Sequence, residues 1–202
     1  MATKLGKSLS AAGRTLAVSA LVLCASLPAL ALENTAPELA SITNFRQYSP
    51  TFASAGQPAS EQFQALKDAG FERIVYIAFT NSGDNAIADE DTIVKGLGME
   101  YLQIPVDFGA PLPSEFYVFA DAMRRYPDKK TLLHCQVNAR ATAFSFLYRV
   151  IYDDVPVAQA KADMNTVWQP YGPWRDFIFT VLEENQISPH CDGCDWSETE
   201  PQ

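Results

Sequence analysis

The stretch 131-TLLHCQVNARATAFSFLYRVIY-152 changes its period midway. Thr131-Leu132-Leu133 follows the polar break Pro127-Asp128-Lys129-Lys130, and a short apolar run after such a break reads as a buried strand. From about Arg140 to Tyr152 the pattern is helical, with Ala141, Phe144, Tyr148 and Ile151 at three- and four-residue steps. Only His134, Cys135, Gln136, Val137, Asn138 and Ala139 lie between, so Cys135 falls where a strand ends and a helix begins. Backbone N–H groups converge at such a turn and make it an anion site. A thiol placed there gains nucleophilic character. Arg140, five positions after Cys135, adds a planar fork of donors that suits phosphate or sulfate oxygens.

Elements on either side alternate between strand and helix. Ile42 to Tyr48 reads as a first strand, followed by Ser54-Ala55-Gly56-Gln57-Pro58 as a turn. Ser60 caps a helix from about Glu61 to Ala69 that buries Phe63 and Leu66 and stops at Gly70. Arg73 to Phe79 is rich in β-formers and reads as a central strand. Thr80 to Ala88 is a polar loop, Asp91 to Leu97 a helix and Glu100 to Val106 a strand. Ser114 caps a helix reaching about Tyr126, with Phe116, Phe119, Met123 and Tyr126 inward. Pro156 to Trp168 and Pro173 to Glu184 are the last helices, the second with Trp174, Phe177, Ile178, Val181 and Leu182 on one face. Such alternation predicts an α/β domain of three α/β/α layers around a mostly parallel sheet.

Three pieces of sequence carry a family resemblance: Ser54 to Pro58, Tyr101-Leu102-Gln103-Ile104-Pro105-Val106-Asp107, and His134-Cys135 through Arg140. Over roughly residues 44–185 the chain resembles the bacterial dual-specificity-like, beta-lactamase-hydrolase-like cysteine phosphatases. The resemblance implies that family's fold, a Cys135 nucleophile forming a phosphocysteine, and no cofactor or metal. Arg140 and the backbone N–H groups of Gln136, Val137, Asn138 and Ala139 would hold the phosphate. Asn138 stands where that loop often has glycine, and asparagine tolerates a left-handed backbone. His134 is expected to position the loop by bonding its backbone, and Thr142 stands in for the hydroxyl residue that often follows the arginine directly. Asp107, just after the strand, matches the place of the family's general acid, although Asp107-Phe108-Gly109 also suits a turn.

The chain departs from that pattern in loop length. Four residues separate Cys135 from Arg140, where the usual phosphatase loop has five. Removing one deletes a donor and tightens the ring, which also suits the single sulfur of a rhodanese-like sulfurtransferase. Two alternatives therefore stand beside the phosphatase. One is a persulfide carrier at Cys135, for which Asp107 is dispensable. The other is a non-catalytic anion-binding module.

At the amino end Lys4, Lys7 and Arg14 precede the apolar run Leu16 to Leu27, and Ala29-Leu30-Ala31 offers small residues to a signal peptidase. The expectation is a signal segment, 1–31, cleaved after Ala31, then a flexible lead-in, 32–41, a catalytic domain, 42–185, and a tail, 186–202. The product would be periplasmic or secreted. Losing Lys4, Lys7 and Arg14 leaves 12 basic against 24 acidic residues, a net charge of −12. That field repels nucleic acid and anionic membrane but does not choose a substrate; the phosphatase resemblance implies a phosphorylated small molecule or phosphoprotein as partner. In the tail, Cys191 and Cys194 could be a redox pair, half a zinc site or a local disulfide. An oxidising compartment favours the disulfide, with Cys135 unpaired. Trp168, Tyr171 and Trp174 read as packing aromatics.

Overall fold

In the computed structural model, which describes residues 37–81 and 83–196, the strands are β1 (Arg46–Ser49), β2 (Phe52–Ala55), β3 (Arg73–Tyr76), β4 (Glu100–Gln103) and β5 (Thr131–His134). The helices are α1 (Pro37–Ala40), α2 (Gln62–Asp68), α3 (Glu90–Gly96), α4 (Pro113–Arg125), α5 (Ala139–Tyr152), α6 (Val157–Asn165) and α7 (Pro173–Glu184). The expected signal segment, the start of the expected lead-in and the end of the tail lie outside the described residues.

The strands form one sheet in the order β1-β2-β5-β3-β4. β5 is its centre, parallel to β2 on one side and to β3 on the other. Every residue of β5 is buried, as a parallel strand covered on both faces must be. Alternate side chains divide the core. Leu132, Ile74, Ala53 and Ala55 pack with Phe63, Leu66 and Val94 of α2 and α3. Leu133, Val75 and Phe52 face the opposite layer, among Phe116, Phe119, Phe144, Trp174 and Phe177 from α4, α5 and α7. Burying each such ring contributes about 1.5–3 kcal/mol, so two apolar layers account for most of the fold's driving force. The three-layer, mostly parallel α/β architecture is the one the alternation predicts. α5 is buried almost all round, from Ala139 to Val150, and is flanked by α6 and α7.

Local differences from the sequence reading have physical causes. The first strand begins at Arg46 rather than Ile42, and β1 turns back antiparallel onto β2. Phe52–Ala55 forms β2 although four mostly small residues carry no readable alternation. Within the stretch expected to be a lead-in, α1 forms and buries Leu39. Ser60 and Ser114 are not the helix caps. Glu61 precedes α2, and α4 starts from Leu112, with Pro113 in its first turn and Glu115 Oε2 accepting the Leu112 N–H at 2.9 Å. Among the described residues no helix is long and apolar enough to cross a membrane.

Candidate active site

Parallel strands put the carboxyl ends of β3, β4 and β5 at one sheet edge, and the loops leaving them meet there. Cys135 directly follows β5, is 1% exposed, and is the free cysteine among the described residues. Its N–H donates to Ala55 of the neighbouring strand at 3.3 Å, so the thiol's backbone is still held by the sheet. The next turn is tight. Asn138 takes φ 74°, ψ 0°, a left-handed geometry that starts α5 one residue later. Its amide Nδ2 donates to Asn44 O at 2.6 Å, and Asn44 Nδ2 donates to Val137 O at 2.9 Å. Asn44 is itself left-handed, so two strained residues brace one another across the site.

The loop also needs Gly56. A β-carbon there would come within 2.9 Å of both Gln136 O and Thr43 Cβ. The Gln57 N–H then reaches Gln136 O at 3.0 Å, which ties the Ser54-to-Pro58 turn to the cysteine loop.

Arg140 lies on the first turn of α5, 4% exposed. One terminal nitrogen donates to Val106 O at 3.1 Å, and the other donates to Oε1 of Gln136. Its Nε is buried without a partner among the described residues, so the fork is not saturated. Phe108 covers the guanidinium at 5.6 Å. Trp174 fixes Phe108 in turn by donating its indole N–H to Phe108 O at 2.8 Å, and Trp168 packs against both rings. Trp168 and Trp174 are therefore packing aromatics that reach the site through Phe108. The Gln169 amide donates to Asp195 O at 3.4 Å.

The structure brings Asp107 to this edge, one residue beyond the carbonyl that holds Arg140. It is exposed, and its Oδ1 accepts the Gly109 N–H at 2.8 Å. The turn-forming and site-edge readings of Asp107 thus describe the same residue. Thr142 is not part of the cradle, because its hydroxyl donates back to Ala139 O at 3.0 Å within α5.

His134 differs from expectation in its partner. Instead of bonding loop backbone, its Nε2 sits 2.8 Å from Oε1 of Glu90, and its ring stacks on Tyr76 at 4.7 Å. Glu90 was not anticipated from the sequence. An acid in the first turn of a helix is ordinary, yet this one is 2% exposed. It also accepts from Gln57 Nε2. Burial, and then the charge of Glu90, hold both tyrosines in their neutral form. Tyr76 is pushed up to about 12, with Arg140 opposing, and Tyr101 is raised further. The signal that could have pointed to Glu90 was Gln57 in the Ser54-to-Pro58 piece, a polar residue needing a buried partner.

Cys191 and Cys194 are joined in a disulfide. The tail carrying them folds back, with Trp196 packed edge-on against Phe146 and Phe179. Among the described residues no group of three or more His, Cys, Asp or Glu side chains is arranged to hold a metal ion.

A thiol at the end of a central parallel strand, a helix N-terminus and a buried arginine fork place anion donors beside a sulfur. No family model and no curated protein matches the sequence. Solved structures do. A candidate phosphatase of the DUF442 class from Shewanella putrefaciens CN-32 is 32% identical, with a TM-score of 0.67, over 74% of this chain and 97% of that one. Two more distant structures share the fold. Tk-PTP in its active form is 18% identical, with a TM-score of 0.56, over 71% of this chain and 96% of its own. A cysteine-to-serine variant of P. aeruginosa TpbA in complex with phosphotyrosine is 14% identical, with a TM-score of 0.54, over 77% of this chain and 88% of its own.

Proposed function

The chain belongs to the DUF442 group of dual-specificity-like cysteine phosphatases, and from that premise we propose that it hydrolyses phosphomonoesters through a phosphocysteine at Cys135. The observation that carries this reading is the pairing of a buried Cys135 with a buried Arg140 whose Nε still lacks an acceptor. The first N–H groups of α5 have no intrahelical acceptor and supply the rest of the cradle. Cys135 Sγ attacks phosphorus and the bond to the ester oxygen breaks. Asp107 gives that oxygen its proton, so an alcohol or phenol departs. Water then attacks the phosphocysteine, Asp107 takes up the water's proton, and inorganic phosphate and the thiolate are restored.

The substrate class is an aryl or alkyl phosphomonoester on a small molecule or a protein. Phosphotyrosine is the favoured example, since Phe108 and Val137 stand about 41% and 54% exposed beside the loop and offer an aromatic leaving group apolar contact. The basic and apolar amino-terminal stretch supports export, so this chemistry belongs to the periplasm or the exterior. The acidic charge balance disfavours nucleic acid and anionic membrane as partners.

The test compares hydrolysis of p-nitrophenyl phosphate with sulfur transfer from thiosulfate to cyanide, on reduced protein and its Cys135→Ser variant. Phosphate release that vanishes in the variant supports the reading. Sulfur transfer that needs Cys135, with no phosphate release, overturns it in favour of the persulfide carrier.

A further inference from the structure

The first residue of the cysteine loop is itself bound to the phosphate-binding arginine. Gln136 Oε1 accepts a hydrogen bond from a terminal nitrogen of Arg140, and the two residues are four apart in sequence. Gln136 lies ahead of the helix, and its contact closes the loop back onto the first turn of α5. On its far side Gln136 is backed by the 80–88 loop. Gly83 has φ +82°, and a β-carbon there would collide with Nε2 of Gln136. Asn85 Nδ2 donates to Gln136 O at 3.1 Å, which pins the same residue's backbone.

Resting on the phosphatase reading, we infer that Gln136 is a specificity-determining residue. Its carboxamide oxygen occupies the position on Arg140 that a phosphate oxygen must take, so every bound anion first displaces it. Arg140 is kept from turning away because Val106 O holds its other terminal nitrogen. A dianionic phosphomonoester outcompetes a neutral amide, since an arginine–phosphate pair adds ion-pair attraction and a bidentate fit to the guanidinium. A monoanion or a neutral ligand has less to offer and is turned away. Through Gln136 the loop gains a filter on ligand charge.

The experiment is calorimetric titration of the full chain with orthophosphate, using Gln136→Ala, Gln136→Glu and Gly83→Ala. Removing the carboxamide frees the fork, and Gln136→Ala is expected to lower the Kd for orthophosphate by about five-fold, the equivalent of one net hydrogen bond. Gly83→Ala, which pushes the far end of Gln136 aside, is expected to shift Kd in the same direction. Gln136→Glu places a carboxylate on Arg140 and should weaken binding by more than about ten-fold. Gln136→Ala binding unchanged within two-fold, or weaker, overturns the inference, because Gln136 would then be idle or a ligand donor. Absence of orthophosphate binding in every variant overturns it as well. Hydrolysis of p-nitrophenyl phosphate by the unmodified chain is followed in parallel. Tighter binding without hydrolysis would sink the phosphatase reading alone, and hydrolysis with unaltered binding would sink this inference alone.

Discussion

His134 Nε2 lies 2.8 Å from Glu90 Oε1, and both side chains are buried beneath the loop that carries Cys135. The pair joins the first residue of α3 to the last residue of β5. A buried carboxylate that accepts from an imidazole and an amide is stable only while both donors are present.

Replacing Glu90 with alanine should destabilise the fold by about 3 kcal/mol, because His134 and Gln57 would be left as buried groups without a partner. Glu90→Gln keeps an acceptor and should cost about 1 kcal/mol. Urea denaturation checks both. A cost near zero for alanine would mean that water replaces the carboxylate and that the pair does not brace the loop.

Asp107 has an exposed carboxylate at the mouth of the site, and only one of its oxygens is engaged, by the Gly109 N–H. Asp107→Asn keeps that turn and removes the proton. The variant is expected to lose about 10²-fold in kcat on phenyl phosphate, whose leaving group needs protonation, and much less on p-nitrophenyl phosphate. Equal losses on the two esters would remove Asp107 from the role of acid.

The left-handed turn at Asn138 sets where α5 begins. Asn138→Ala should cost about 2 kcal/mol, combining left-handed strain with loss of the bond to Asn44 O. Asn138→Gly avoids the strain and should cost about 1 kcal/mol less. If thermal unfolding ranks the two variants the other way, left-handed strain does not govern this turn.

The two tyrosines around Glu90 predict a response to alkali. Tyr76 titrates near 10.0 when unfolded and at about 12 when folded, so between these values the unfolded chain binds fewer protons than the folded one. Stability is therefore fully present below pH 10 and falls as pH rises towards 12. Tyr101 moves in the same direction for the same reason. Thermal unfolding midpoints should drop across this window, and Tyr76→Phe should flatten the drop. A midpoint independent of pH over that range would contradict the buried, neutral placement of these phenols.

Some of this was legible along the chain because it depends on neighbours in sequence. The change of period at Thr131 to Tyr152 places a strand, a sharp turn and a helix in order, and so puts Cys135 and Arg140 at one helix N-terminus. Alternation of strands with helices then leads to the parallel, three-layer sheet, since parallel neighbours need a crossover between them. Asn138 is readable for the same local reason, a residue that tolerates φ > 0 where the turn demands it.

What tertiary structure alone decided depends on distance in space. Glu90 meets His134 across a separation of 44 residues, and nothing in the local pattern at Glu90 separates a buried acid from a solvated one. The short strand β2 exists because β5 offers it a parallel partner, and its own four residues are too small and too few to declare it. The hydroxyl of Thr142 turned back into its helix, and the amide of Gln136 turned onto Arg140. In each case the choice went to whichever acceptor or donor the packed core left within reach, which only the assembled sheet and its two helical layers could set.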